Sequence, residues 1–85
     1  MHYIYIVECS DGTFYTGYAK NVERRIKEHN NSLKGAKYTR SRRPVTLRYV
    51  ESFETRSDAC KREAAIKKMK RDQKERLILN PLKEV

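Results

Sequence analysis

The stretch HYIYIVECSDGTFYTGYA, residues 2–19, decides the fold of this chain. From Tyr3 to Val7 the residues are apolar on both alternating faces, which is typical of a central strand covered on each side. The Asp11-Gly12 pair is a tight-turn signal, and residues 13–18 return as a second strand rich in β-forming side chains. The stretch therefore predicts an antiparallel hairpin, and it holds four of the six tyrosines of the chain.

The middle of the chain predicts a helix, a loop and a third strand. Asn21 is placed to cap a helix that runs to about Asn30. The apolar face of that helix consists of residues at helical spacing: Val22, Ile26, His29 and Leu33. Residues 30–44 contain Asn, Ser and Gly without a clear period and predict a basic loop with a short turn of helix. Residues 45–53 alternate through Val45, Leu47 and Tyr49, which predicts the third strand.

Two helices are expected after the third strand. Thr55-x-x-Asp58 resembles a capping box and opens a helix to about Lys70. Asp72-x-x-Glu75 restarts a short final helix, which Pro81 ends. The sum is one domain, residues 1–85, of the α+β class. Its three-stranded, mainly antiparallel sheet is flanked by helices in the order β-β-α-β-α-α.

Positive charge dominates the composition. The chain has 20 Lys and Arg against 11 Asp and Glu, a net charge of +9, and a field of that sign attracts polyanions. Residues 34–48 carry six cations and no acid, so this loop-like segment is predicted to follow a phosphate backbone. Residues 61–76 carry eight cations and three acids. This second cluster has a simpler explanation than phosphate binding, namely the solvent-exposed face of a helix. Nucleic acid is the expected partner; the alternative is that the charge only keeps the protein in solution.

The sequence indicates that this chain is not a membrane protein, a zinc-binding protein or a disulfide-bonded protein. No apolar run approaches the roughly 20 residues that span a bilayer. Cys9 and Cys60 lack the spacing of a metal or redox pair, so we expect reduced thiols, no zinc and no disulfide. With no signal sequence, the chain is expected to be soluble and cytoplasmic.

Glu63 is an acidic residue at an unusual position on its predicted helix. On a helical wheel it falls within an apolar stripe, where a carboxylate needs a cation, a hydrogen-bond network or a metal ion. The wheel alone favours an ion pair with a neighbouring Arg or Lys, and a metal ligand is the competing interpretation.

The hairpin offers a second candidate site. Tyr5 and Tyr15 come almost opposite one another if the turn centres near Asp11. Gly17, on the same face as Tyr15, leaves a patch of sheet without a side chain that is open to a ligand or to close-packed backbone. Packing alone also accounts for a cross-strand aromatic pair, and Arg25 is by default an exposed helix residue.

These residues together resemble the GIY-YIG endonuclease superfamily. The resemblance rests on Tyr3-Ile4-Tyr5, on Tyr15-Thr16-Gly17, on residues 20–25 and on a downstream helical Glu63. It covers essentially the whole chain. It is closest to the small bacterial single-domain members, which typically carry the GAKYTR and RRPV motifs found here within residues 35–45. Tyr3 and Thr16 stand where the family usually has Gly and Ile, and we interpret both as packing variants.

The resemblance implies a catalytic site. Tyr5 and Tyr15 match the paired tyrosines beside the scissile phosphate, with Tyr5 our first choice as general base once neighbouring cations or the metal lower its pKa. Arg25 matches the arginine of the helix that follows the hairpin, and its fork suits the non-bridging oxygens of a phosphate. His29 matches a position that is histidine in some members. Glu63 matches the ligand of one divalent metal, expected to be Mg²⁺ with Mn²⁺ as a substitute.

The implied activity is metal-dependent hydrolysis of phosphodiester bonds in DNA, including structured or branched DNA, as in DNA repair. Predicted substrate-binding residues lie on the hairpin and in the basic loop: Gly17, Lys37, Tyr38, Arg40, Arg42 and Arg43. Two alternatives remain, a non-catalytic nucleic-acid-binding module and a protein-interaction module. Because larger nucleases of this class append a DNA-recognition domain, affinity here is expected to rest on phosphate contacts and to fall steeply with salt.

Overall fold

A computed structural model describes residues 1–32 and 34–79 of the chain. The strands are β1 (His2–Glu8), β2 (Phe14–Ala19) and β3 (Thr46–Phe53). The helices are α1 (Val22–Asn31), α2 (Lys37–Arg40), α3 (Arg56–Lys67) and α4 (Arg71–Leu79). This order confirms the predicted α+β class.

The sheet has the strand order β2-β1-β3, and both pairings are antiparallel. β1 is therefore the central strand, as its two apolar faces predict. The four residues from Ile4 to Val7 are at most 1% exposed. Burial of both faces of β1 supplies the core of this small protein, because each such side chain contributes about 1.5–3 kcal/mol when it leaves water.

Helices cover both faces of the sheet. On one face, α1 contributes Val22 and Ile26, which pack against a buried cluster: Tyr5, Val7, Cys9, Ala19 and Val45. On the other face, α3 and α4 contribute members of a second cluster: Ile4, Ile6, Tyr49, Ala59, Ile66 and Leu77. Alternate residues of β1 thus feed two separate cores, as expected for a strand whose side chains point to opposite faces.

Local signals set the helix starts. The Asn21 side chain accepts a hydrogen bond from Arg24 N, and the Thr55 side chain accepts one from Asp58 N, so both predicted N-caps are present. α3 ends at Lys67, earlier than the predicted Lys70. The Lys70 N–H instead donates to the Gln73 side chain at the start of α4.

The hairpin register differs from the one predicted. Tyr5 lies opposite Gly17, and Tyr15 lies opposite Val7. The turn is closed by the hydrogen bond from Cys9 N to Thr13 O, 2.8 Å long. Tyr5 and Tyr15 would be directly opposed only if the turn centred on Ser10. The turn centres on Asp11, as predicted, so the two tyrosines share a face and lie diagonally.

A bulge in β3 overturns the predicted alternation of Val45, Leu47 and Tyr49. Ile6 pairs with Tyr49 but its neighbour Val7 pairs with Leu47, so Arg48 is an extra residue on β3. Val45 and Tyr49 consequently reach opposite faces of the sheet, and Leu47 is 40% exposed.

The predicted core position Leu33 and the predicted helix end at Pro81 lie outside the described residues. Within residues 1–32 and 34–79, none of the helices combines the length and the apolar character needed to cross a membrane.

Candidate functional site

The hydroxyl end of the Tyr5 ring lies against the glycine that faces it across the hairpin. A Cβ on Gly17 would stand 2.6 Å from Tyr5 Cζ, and nearer still to Oη. The predicted open patch at Gly17 is therefore wrong: the Tyr5 ring fills it, and both residues are buried. Gly17 serves to seat Tyr5, since any side chain there would displace the ring.

The Tyr5 hydroxyl is joined to a buried histidine. Tyr5 Oη lies 2.6 Å from His29 Nε2, and the two rings meet edge to face. His29 is 0% exposed. Its other ring nitrogen, Nδ1, lies 2.9 Å from Thr39 Oγ1 and 3.3 Å from Ala36 N. With the proton on Nδ1 the ring donates to Thr39 and accepts from Tyr5; with the proton on Nε2 it donates to Tyr5 and accepts from Ala36 N, so both ring nitrogens are paired in either tautomer.

A close approach of the loop to α1 provides these partners. A Cβ on Gly35 would lie 2.8 Å from the Glu28 carbonyl oxygen and 2.9 Å from His29 Cα. Glycine at this position lets the loop press on α1, which brings Ala36 and Thr39 to the histidine. The Thr39 hydroxyl in turn donates to Ala36 O.

Burial makes both members of the Tyr5–His29 pair neutral. Burial raises the pKa of Tyr5 to about 12, and the neighbouring Arg25 opposes this only in part. Burial also lowers the pKa of His29 to about 4, and the charge of Arg25 acts in the same direction. The low phenol pKa that the sequence-based mechanism required for Tyr5 is therefore not found in the free protein.

Tyr15 stands in front of this pair and is partly exposed. Its ring lies 5.4 Å from the His29 ring, and it stacks on Tyr38 at 5.9 Å with an interplanar angle of 22°. Lys67 Nζ lies 5.9 Å from the Tyr15 ring centroid. Tyr15 is thus fixed by aromatic contacts while its surroundings carry positive charge.

Tyr38 is in turn held in place by Arg42. The guanidinium carbon of Arg42 lies 3.9 Å from the Tyr38 ring centroid. Arg42 Nε donates to Asp11 Oδ2 at 3.0 Å, and Nη1 donates to Tyr38 O at 2.8 Å. Arg42 therefore ties α2 to the hairpin turn.

Arg25 brings a cation to the tyrosines from α1. Its side chain is 28% exposed, and Nη1 donates to Glu28 Oε1 and to Lys34 O, both at 2.8 Å. The guanidinium lies beside Tyr5, where it works against the burial that raises the pKa of that phenol. Two of the five N–H donors of Arg25 are used in these hydrogen bonds, which hold the guanidinium in one orientation.

Glu63 reaches the same site from α3. Its side chain is 20% exposed, and Oε2 lies 3.2 Å from Lys67 Nζ. The ion pair that the helical wheel favoured is therefore present. Lys67 Nζ lies 5.9 Å from the Tyr15 ring centroid, so this ion pair stands beside the tyrosines, and the Glu63 charge adds slightly to the raised pKa of Tyr5.

One carboxylate is a sparse but chemically suitable magnesium site. No group of three or more His, Cys, Asp or Glu side chains that could hold a metal occurs in the described part of the chain. Mg²⁺ typically takes one or two carboxylates and completes its shell with water and substrate phosphate. Glu63 fits that donor set if Lys67 releases the carboxylate.

The predicted phosphate-binding residues divide into two groups. Lys37, Tyr38 and Arg40 are exposed on α2. Arg42 is engaged with Tyr38 and Asp11, and Arg43 donates to the carbonyls of Glu28, His29 and Ser32. Arg43 thus caps the C-terminus of α1, whose last carbonyls need donors, and the assignment of Arg42 and Arg43 to phosphate stays a prediction.

The site contains two residues that sequence reasoning missed. Lys67 follows Glu63 by four residues, so helical spacing alone indicated its position beside that carboxylate. Thr39 gave no such signal, because its contact with His29 depends on how the loop folds back on α1.

Known proteins are similar to this chain in sequence and in fold. The chain is 58% identical to a UPF0213 protein of Halobacterium salinarum over 92% of this chain and all of the relative. It is 60% identical to a UPF0213 protein of Staphylococcus saprophyticus over 91% of this chain and 93% of the relative. The solution NMR structure of a protein from E. faecalis superposes with a TM-score of 0.64 at 50% identity, covering 99% of this chain and 93% of that one.

A second solution NMR structure, of a UPF0213 protein from Bacillus halodurans, gives a TM-score of 0.61 at 46% identity over 94% of this chain and 84% of that one. Residues 1–76 match the GIY-YIG catalytic domain, which includes the tyrosines, Arg25, His29 and Glu63. The chain therefore belongs to the GIY-YIG family, a superfamily of nuclease domains.

Proposed function

We propose that the protein is a metal-dependent endonuclease that hydrolyses phosphodiester bonds in DNA. One observation supports this above all: Tyr5 has Tyr15, Arg25, His29 and Glu63 as its neighbours, brought together from four elements. Packing does not require a carboxylate, a guanidinium, an imidazole and a second tyrosine to gather near one buried phenol, whereas phosphodiester hydrolysis uses each of these groups.

Arg25 is assigned to the phosphate. Its fork matches the non-bridging oxygens, and the contacts with Glu28 and Lys34 leave other N–H groups of the fork for such an anion. Stabilisation of charge that develops on these oxygens is typically worth about 2.7–4 kcal/mol per donor.

Tyr5 and His29 are assigned to the proton of the attacking water. Against a pKa of about 12, forming a free Tyr5 phenolate at neutral pH costs about 7 kcal/mol. Against a pKa of about 4, protonating His29 costs about 4 kcal/mol. The cheaper route is for Tyr5 Oη to take the proton from water while its own proton passes to His29 Nε2, 2.6 Å away.

One of the two tautomers of His29 suits this relay. In it Nδ1–H donates to Thr39 Oγ1, the Thr39 hydroxyl donates to Ala36 O, and Nε2 accepts from Tyr5. The hydrogen bond from Ala36 N to Nδ1 belongs to the other tautomer, so the relay requires the proton to stay on Nδ1. His29 has no exposed surface, so it acts only through Tyr5. Tyr15, partly exposed in front of the pair, is assigned to orienting the water or the phosphate.

Glu63 is the residue that would hold the metal, Mg²⁺ or Mn²⁺ in its place. A divalent ion bound there supplies relief of negative charge on the leaving oxygen. Lys67 must release Oε2 for this, and an incoming phosphate offers its ammonium a replacement partner.

Exposed cations on α2 supply the affinity for DNA. Lys37 and Arg40 lie in the same short helix as Tyr38, whose ring stacks on Tyr15. Contacts of this kind bind phosphate without reading sequence, so the affinity is expected to depend strongly on salt.

The test is cleavage of linear, nicked and branched DNA with Mg²⁺ by the wild type, Glu63→Gln and Arg25→Ala. Lys61→Gln, on the exposed outer face of α3, is the matched control. We expect the wild type and Lys61→Gln to cut at similar rates and the two site variants to lose about 10²–10³-fold. Equal traces of cleavage in all four proteins would indicate contamination and contradict the proposal.

A second candidate function is a non-catalytic nucleic-acid-binding module on the same fold. The observation in its favour is the Glu63–Lys67 ion pair, which neutralises the expected metal ligand. Tight, salt-sensitive binding of DNA by the wild type without metal-dependent turnover would establish this function instead.

A further inference from the structure

A second positively charged feature lies beside the tyrosine site, in a groove between the hairpin and α4. The groove has a volume of about 240 Å³ and is lined by Thr13, Phe14, Arg71 and Lys74. Its lining thus contains two cations and no acid. We call it the hairpin–α4 groove.

Arg71 lines this groove, and two contacts hold its side chain in place. Its guanidinium carbon lies 4.6 Å from the Phe14 ring centroid, and Nη1 donates to Gly12 O. Glu75 neutralises it only partly, with Nε and Oε2 3.5 Å apart. The contacts with Phe14 and Gly12 anchor the cation to the turn of the hairpin.

Lys74 is a half-buried cation next to another cation. Within residues 1–32 and 34–79, no carboxylate lies within ion-pair distance of Lys74. Burial, and then the charge of Lys67, lower its pKa. A partly desolvated ammonium without a carboxylate is unfavourable in the free protein, and a bound anion would relieve it.

Lys67 connects the groove with the catalytic residues. Its Nζ lies 5.9 Å from the Tyr15 ring centroid on one side, and its charge acts on Lys74 on the other. Tyr15 and Phe14 are neighbours on the outer strand β2 and point to opposite faces of the sheet, so the path from the tyrosines to the groove passes around the edge of that strand.

We propose that the hairpin–α4 groove binds a backbone phosphate of the nucleic acid substrate, on the side of the scissile bond away from α2. The strand then passes from α2 across the tyrosines, over Lys67 and on to Arg71 and Lys74. This inference rests on the proposed function and deepens it: a substrate held on both sides of the scissile bond is cut within a strand and not at its end.

The test is DNA binding without turnover, measured by fluorescence anisotropy in EDTA over a range of salt concentrations. Loss of one phosphate contact lowers the slope of log K against log salt by about 1, which corresponds to about tenfold in affinity at 0.1 M salt. We expect this loss for Lys74→Gln and its recovery in Lys74→Arg. Lys61→Gln, exposed on the outer face of α3, is the control and should keep the wild-type slope.

Thermal unfolding supplies a readout that a structural role would not give. Because the charge of Lys74 is partly buried beside Lys67, Lys74→Gln should melt at the same temperature as the wild type or higher, while it binds DNA more weakly. A lower melting temperature with unchanged DNA affinity would overturn the inference and show that Lys74 is a packing residue.

The outcome is separable from that of the proposed function. If the wild type cleaves DNA and the salt slope of Lys74→Gln equals that of the wild type, the groove is not a phosphate site although the nuclease assignment stands. If the wild type binds DNA with the predicted Lys74 dependence but never cleaves it, the groove assignment stands and the nuclease assignment fails.

Discussion

The ring of Tyr5 occupies the space where Gly17 lacks a side chain, with Tyr5 Cζ 2.6 Å from the position that a Cβ on Gly17 would take. The two residues are directly opposed in the hairpin. From this position the Tyr5 hydroxyl contacts His29 Nε2, so the lack of a side chain at Gly17 determines where the hydroxyl of the proposed proton relay lies.

Gly17→Ala should therefore impair both stability and activity. The new methyl group must push the buried Tyr5 ring away from His29, and overpacking of this kind typically costs about 1–3 kcal/mol. Urea unfolding measures the loss of stability, and DNA cleavage measures the loss of rate.

The matched control is Gly12→Asn in the turn of the same hairpin. Gly12 has a φ of 85°, and a Cβ added to it would have no atom within 4 Å. Asparagine tolerates that backbone conformation better than most residues. A Gly17→Ala protein as stable and as active as Gly12→Asn would contradict the seating of Tyr5 on Gly17.

The buried histidine should make the protein sensitive to mild acid. The pKa of His29 is about 4 in the folded protein, against 6.5 as its ordinary value. As the pH falls, His29 therefore takes up a proton in the unfolded chain before it does so in the folded protein. The free energy of unfolding is highest above pH 6.5 and decreases towards pH 4, by up to about 3 kcal/mol. Urea unfolding at pH 7 and pH 4.5 measures this difference.

Two variants assign the effect to one residue. His29→Gln should be less stable at pH 7, because it disturbs the bonds to Tyr5 and Thr39, but its stability should vary less with pH. His2→Gln removes the other histidine, which is close to the surface, and should keep most of the wild-type pH dependence. Equal stability of the wild type at both pH values would exclude a neutral buried His29.

Two arginines from the same basic loop should separate stability from DNA binding. Arg43→Gln removes a donor from the carbonyls of Glu28, His29 and Ser32, and we expect a loss of about 1–3 kcal/mol in the free energy of unfolding. Arg40→Gln, on the exposed surface, should leave stability unchanged and lower the salt slope of DNA binding by about 1. The opposite pattern would support the prediction of Arg43 as a phosphate ligand.

The proton relay predicts the pH dependence of cleavage. If Tyr5 passes its proton to neutral His29, the single-turnover rate should be nearly constant from about pH 6 to pH 9, because neither group titrates there. If a free phenolate were required, the rate would rise about tenfold per pH unit towards the pKa of Tyr5, about 12. The same profile for Tyr5→Phe should lie about 10²–10⁴-fold lower.

Local signals carried most of the fold. The caps at Asn21 and Thr55 and the apolar faces of β1 depend on neighbouring residues, and all are present in the structure. The pairing of Tyr5 with Gly17 depends on the centre of a turn, where a shift of one residue moves every partner by two. The bulge at Arg48 left no local signal at all.

The site shows the same division. The resemblance to a known family singled out Tyr5, Tyr15, Arg25, His29 and Glu63, and the fold brings all five together. The hydrogen-bond partners of Arg42 and Arg43 were not predictable, because they are groups distant in the sequence. A run of positive charge therefore gives the sign of the surface but not which cations are free.

The most direct test of the central claim is the single-turnover rate of DNA cleavage as a function of Mg²⁺ concentration, for the wild type and Glu63→Gln. We expect the wild-type rate to rise and saturate with Mg²⁺. The Glu63→Gln rate should stay about 10²–10³-fold lower at every concentration, because the carboxylate that we assign to the metal is gone. Identical Mg²⁺ dependence of the two proteins would contradict the assignment of Glu63 and with it the proposed catalytic site.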